Sequence, residues 1–174
     1  MSNIKLDFVK QFLPFAKQTQ DKSGIKRLAI LTQAALESGW GKHAPGNMFF
    51  GVKDFDGLNG NEQLLQTTEI SRRRDLKFPV IISVTPITRN GIAYFKYTVK
   101  DYFRKYNTPE ESFTDHANFF IKNKRYSEAL KVKEDPYKFL EEVAKAGYAT
   151  DPDYYAKCKV TANDIYKIMV ELEK

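Results

Sequence analysis

The sequence holds a single cysteine, two histidines and one tryptophan in 174 residues. One thiol, Cys158, rules out an internal disulfide and leaves the redox compartment open. It falls in a predicted helix, where an inert thiol is expected. His43 and His116 are far apart and no H-E-x-x-H pattern occurs, so no zinc site, and no other metal or cofactor, is expected. There is no run of 18 apolar residues to span a bilayer. The N-terminal stretch MSNIKLDFVKQFLPFAKQ has scattered charges and no apolar signal core. No phosphate-binding glycine loop is present. The stretch Asp54–Glu62 superficially resembles a calcium loop. Its spacing fails, because Leu58, Asn59 and Leu65 stand where a ligand, a glycine and the closing glutamate are needed.

What the chain has in abundance is aromatic and basic. Ten Tyr and 13 Phe accompany a net charge of +6 and a pI near 9.2. Aromatic faces fill cores and also stack on sugars and bases. A basic surface favours an anionic partner, and charge alone does not choose among nucleic acid, membrane and wall polymer. The length suits one domain with a real core.

The element order reads helices, then strands, then helices, an α+β domain dominated by helix. Ile4, Phe8, Phe12 and Phe15 predict a helix over 4–20, which Pro14 should kink or divide. Ser23 and Gly24 are expected to open a second helix to about Ser38. Leu64–Ile70 and Phe78–Val84 read as strands. Asn90-Gly91 predicts a type I′ hairpin between Ile87 and Val99, giving a β-rich lobe over about 62–100. Thr108-Pro109-Glu110-Glu111 starts a helix with Phe113, Ala117, Phe120 and Ile121 on its apolar face. Another helix is predicted over Pro136–Ala146, and one or two more from Asp151-Pro152 to Leu172.

The stretch AALESGWGKHAPGNMFFGVKD raises the chemical question. Glu37 ends an apolar helix, with Ala34, Gln33 and Ile30 on its own face and no cation among them. Partial burial and the negative end of the helix dipole both disfavour its charged form. A carboxylic acid kept protonated near neutral pH is what a general acid needs to protonate a glycosidic oxygen. Trp40 would then wall the acid off from water or stack on a sugar, and Gly39 and Gly41 would allow close approach. The same pattern fits a surface glutamate before a glycine helix stop, with Trp40 in the core.

These residues resemble the signature of glycoside hydrolase family 73, the bacterial wall endo-β-N-acetylglucosaminidases. Gln33, Ala34, Leu36 to Gly41, Asn47, Phe50, Gly51 and Lys53 match its A-Q-A-x-L-E-S-G-W-G and N-x-F-G-I-K pattern, with Val52 in place of Ile. QTTEI, YFRKYNTPEESFTDHANFF and AGYATDPDYYAKCK are similar to its later segments, in order, over nearly the whole chain.

The resemblance implies a lysozyme-like helical body with a β-hairpin lobe beside the substrate cleft, and a single catalytic domain over 1–174. It implies cleavage of the β-1,4 bond after N-acetylglucosamine in peptidoglycan. Glu37 falls on the general acid and Glu69 on the second carboxylate, although a strand glutamate also commonly faces solvent. Tyr148 falls on a tyrosine that positions substrate. Trp40, Asn47, Phe50, Lys53 and Tyr154 are carried over as substrate-binding residues, with a core role the alternative for both tyrosines. Muramidases and lytic transglycosylases on the same scaffold, and a non-catalytic wall-binding module, are the competing functions. The expected partner is the peptidoglycan glycan strand, met as a monomer at the bacterial wall by a secreted or phage-delivered protein, with no nucleic acid. One departure is the long segment from Ile70 to Tyr102. Its Arg72-Arg73-Arg74 run is either a solvated charge cluster or a grip on anionic wall polymer.

Overall fold

The computed structural model describes residues 3–55 and 60–174, so part of the calcium-like stretch, Asp56 to Asn59, lies outside the described residues. The chain divides into two compact units, Met1–Phe50 with Tyr106–Lys174, and Gly51–Lys105.

The first unit is helical. Helix α1 (Ile4–Ser23) starts at Asn3, whose side chain accepts from the Lys5 and Leu6 amides. It runs undivided through Pro14, contrary to expectation. Pro14 and Lys10, whose carbonyl loses its usual amide partner, both lie on the exposed face, where water can serve that carbonyl. Gly24 closes α1 in the left-handed conformation (φ 75°) rather than opening the next helix. Helix α2 (Arg27–Ser38) starts from Lys26, which offers no side-chain cap; the Gln20 side chain accepts from the Arg27 amide at 2.8 Å instead. Leu28 to Ala35 are all buried, including Thr32 and Gln33, so α2 is the core helix. It packs against α1 and α6 (Tyr154–Leu172).

Helix α3 (Pro109–Lys122) has the predicted Thr108 cap, which accepts from the Glu111 amide, while the Glu111 carboxylate accepts from the Asn107 amide. Phe113, Ala117 and Phe120 are buried, but Ile121 points outward and is 46% exposed. The short α4 (Ser127–Lys131), unforeseen in the sequence, leads to α5 (Pro136–Lys145), capped by Asp135. Phe12, Phe49 and Phe113 meet edge to face, with centroids 4.8 to 6.5 Å apart, and join α1 to α3.

The second unit is an antiparallel sheet in the order β1-β3-β2, built from β1 (Glu62–Ser71), β2 (Val80–Arg89) and β3 (Ile92–Arg104). Asn90 (φ 51°) and Gly91 (φ 75°) are both left-handed, as a type I′ turn requires. The two stretches read separately as Phe78–Val84 and the hairpin's first arm form one strand. Pro86 is tolerated there because β2 is an edge. A register shift between Ile81 and Ser83 marks a bulge. Tyr97 and Val99 are fully buried. The segment after β1 folds over that face: Phe78 lies 5.6 Å from the Tyr97 ring, and the Tyr97 hydroxyl donates to the Arg73 carbonyl at 2.7 Å.

Candidate active site

Helix α2 ends with three successive left-handed residues, Gly39 (φ 58°), Trp40 (φ 59°) and Gly41 (φ 80°). A tryptophan in this conformation is strained, and such strain persists only where surrounding structure enforces it. Here Ser38 does much of the enforcing. Its hydroxyl donates to the Ala34 carbonyl and accepts from the Gly41 amide at 2.9 Å, and its own carbonyl accepts from the His43 amide. Gly41 has a second reason to be glycine: a Cβ there would sit 3.2 Å from Phe12 and 3.4 Å from Phe8. The two glycines thus serve the turn and its packing on α1. Trp40 packs edge-on against Phe8, with the Lys5 ammonium 5.4 Å from its ring.

This turn leaves Glu37 at the C-terminal edge of the core helix with its side chain accessible to water. Yet desolvation raises its pKa above the ordinary carboxylate value, and among the described residues no cation offsets this. The two facts are compatible. The carboxyl reaches water, but the low-dielectric protein matter crowded around it makes its charged form costly. Burial, followed by the Glu37 charge, holds the Tyr148 phenol far above its usual range, and the same charge adds to the elevation of Tyr154. Cys158, fully buried, is pushed up to about 11, chiefly by burial, with Glu37 adding to the rise. An accessible acid with aromatic hydroxyls within electrostatic reach can hold a proton and release it to a ligand.

Tyr148, within electrostatic reach of this acid, sits in an aromatic cluster. Its ring is 5.5 Å from Tyr154 and 5.7 Å from both Phe120 and His116. Its hydroxyl lies 3.4 Å from His116 Nε2. His116 is stacked on Phe50 at 3.6 Å with the planes 8° apart, and burial depresses its pKa to about 3. The imidazole is therefore neutral at ordinary pH. His116 lies in the stretch YFRKYNTPEESFTDHANFF that resembles the family, but no role was expected of it; its contact with Tyr148 appears only when α3 brings the two together.

In the sheet unit, Glu69 on β1 is not a free strand glutamate. The Lys53 ammonium donates to its Oε1 at 2.5 Å and lies 3.1 Å from Asp101 Oδ2. Desolvation works to lower the Lys53 pKa, but the hydrogen bonds and charges of Glu69 and Asp101 outweigh it and leave the ammonium raised above its usual value.

A family model described as mannosyl-glycoprotein endo-β-N-acetylglucosaminidase matches residues 13–167. The chain belongs to this glucosaminidase family. It is 31% identical over 158 residues to the peptidoglycan hydrolase FlgJ of Pseudomonas aeruginosa, covering 87% of this chain and 34% of that protein. It is 30% identical to the exo-glucosaminidase LytG of Bacillus subtilis, over 86% of this chain and 48% of the other. The chain thus spans between a third and a half of these relatives' lengths. Among solved structures, the glycoside hydrolase domain of Salmonella typhimurium FlgJ superposes with a TM-score of 0.70 at 26% identity, covering all of this chain and 94% of that one. The match extends to the mainly helical, lysozyme-like α+β fold with its small sheet.

The glucosaminidase motif residues fall into different physical roles. Glu37, Tyr148 and Trp40 retain solvent access. Phe50 is only 5% exposed and one face of its ring is covered by His116. Tyr154 is 7% exposed, and its hydroxyl accepts from Gln33 at 3.2 Å, so it too is a core residue. Asn47, left-handed at φ 57°, donates its side-chain amide to the Tyr106 carbonyl and ties down the chain after Pro45. Lys53 is engaged with Glu69 and Asp101. These four were expected to touch substrate, and each has a protein partner in the fold.

Proposed function

We propose that this chain hydrolyses the β-1,4 glycosidic bond on the reducing side of N-acetylglucosamine in peptidoglycan, acting at the bacterial cell wall. The observation that carries the reading is the accessible, desolvated Glu37 at the end of the buried helix α2. Glu37 donates its proton to the leaving glycosidic oxygen as the bond to the anomeric carbon breaks. Glu69 is the second carboxylate: it opposes the positive charge developing on the sugar or accepts a proton from the incoming water. Water supplies the hydroxyl that ends on the anomeric carbon, and Glu37 regains a proton before the next cycle. Tyr148, its phenol held protonated, donates a hydrogen bond that positions the sugar beside Glu37. Membership of the glucosaminidase family and the names of its relatives support the substrate class.

The sheet unit carries a second element of this function. Arg72, Arg73, Arg74, Lys77, Arg89 and Lys96 are exposed. Arg72 and Arg74 rest against Tyr94 and Phe95 at 5.6 and 5.9 Å, while Arg73 pairs with Asp75. Guanidinium groups laid on rings keep their charge available, so this surface suits an anionic wall polymer.

Mass spectrometry of digested, purified peptidoglycan tests the reaction. New reducing N-acetylglucosamine ends are expected. Reducing muramic ends would assign a muramidase, anhydro-muramic ends a lytic transglycosylase, and an absence of cleavage a binding module.

A further inference from the structure

Sheet register dictates where Lys53 must point. The Arg104 amide donates to the Val52 carbonyl at 2.8 Å and the Asp54 amide to the Tyr102 carbonyl at 3.0 Å, which sets Lys53 opposite Phe103 of β3. Residues paired across antiparallel strands share a face, and alternate residues of a strand return to it. Phe103, Asp101 and Tyr97 are alternate residues of β3, and Glu69 is the partner of Tyr97. Lys53, Asp101 and Glu69 are therefore delivered to one face by backbone pairing alone. The side chains complete the arrangement, with one ammonium in contact with both carboxylates. The Phe78 ring, 5.9 Å from that ammonium and leaning on Tyr97, covers the group from the segment after β1.

We propose that Lys53 is the positioning residue for the second carboxylate, fixing the direction of Glu69 beside Asp101. The proposal rests on the assignment of Glu69 to the reaction made above. A long glutamate side chain on a strand has several rotamers, and a charge-assisted contact selects among them. Asp101 keeps the lysine in place from the other side, so the ammonium stays at the site even when substrate competes for Glu69. The groups facing the ammonium are Glu69 from β1, Asp101 from β3 and the ring of Phe78. Without the cation, two carboxylates would share this face and their repulsion would turn Glu69 away.

The test compares wild type, Lys53→Met, Lys53→Arg and Glu37→Gln on solubilised glycan strands. Lys53→Met should lower kcat by roughly 10- to 100-fold, the scale that a misplacement of about 1 Å produces. KM should change little. Lys53→Arg, which restores a cation, should recover most of kcat. Wild-type kcat in Lys53→Met would overturn the proposal. So would a variant that loses only thermal stability and is not rescued by arginine. An inactive wild type would instead sink the hydrolase reading itself, whereas an active wild type, a dead Glu37→Gln and an unchanged Lys53→Met would sink Lys53 alone.

Discussion

The Tyr148 hydroxyl and His116 Nε2 are 3.4 Å apart, and the imidazole between them and Phe50 is neutral. A neutral ring nitrogen facing a phenol can only fix that phenol's direction; it cannot supply a charge. Tyr148→Phe should therefore fold normally and lose activity by roughly two- to tenfold, the worth of one net hydrogen bond. Steady-state kinetics beside a circular dichroism melt checks this, and a full-rate Tyr148→Phe would remove Tyr148 from the substrate-positioning group.

His116 also makes a stability prediction. Its folded pKa, about 3, lies below the ordinary 6.5, so below pH 6.5 the unfolded chain binds the proton first. Stability from this group is complete above pH 6.5 and is lost as pH falls toward 3. His116→Phe keeps an aromatic ring on Phe50 and removes the titration. Its melting temperature should fall less steeply than wild type between those pH values, and parallel curves would refute the assignment.

For Glu37 the sign is opposite. Its folded pKa is raised by desolvation, so the folded state holds the proton longer than the unfolded chain. Its stabilisation is full below pH 4.5 and declines as pH rises through the folded value. Glu37→Gln should abolish lytic activity. It should also match wild type in melting temperature at low pH and equal or exceed it at pH 7 to 8. A Gln variant that still clears walls, or that melts lower at neutral pH, contradicts the role given to this acid.

Gly41→Ala should destabilise the helical unit by about 1–2 kcal/mol, the ordinary cost of a left-handed non-glycine residue, with further loss from the contact with Phe12 at 3.2 Å. Urea unfolding measures it. An unchanged midpoint would mean the turn after α2 relaxes freely.

Reversing Arg72 and Arg74 to Glu should weaken binding to purified walls at low salt and flatten its salt dependence, because screened charge attraction is what these exposed groups provide. Pull-down of protein with walls across a salt series reads this directly. Unaltered binding would leave the arginines as a solvated charge cluster.

Several features were legible in the residues themselves because they are local. The Asn90-Gly91 turn, the Thr108 cap and the apolar run of α2 each depend on neighbours within a few positions, and the structure reproduces them. Expectations that failed had ignored which side of each helix faces solvent. Pro14 does not divide α1, because its missing bond faces water. Ile121 points outward, because α3 turns its buried stripe through Phe113, Ala117 and Phe120. The motif gave Phe50, Tyr154, Asn47 and Lys53 a common expected role; the protein partner each one has was set by the fold, because a motif records only identity and spacing.

By itself the sequence determined which acid ends the core helix, where the hairpin turns and which family the motifs resemble, since these follow from spacing along one chain. The tertiary structure alone decided that Glu37 is both accessible and desolvated, that His116 stands against Tyr148, and that Lys53 reaches Glu69 and Asp101. Those side-chain contacts join residues 16 to 48 positions apart in sequence. Strand register and helix packing set them, and neither is written in any single stretch of the chain.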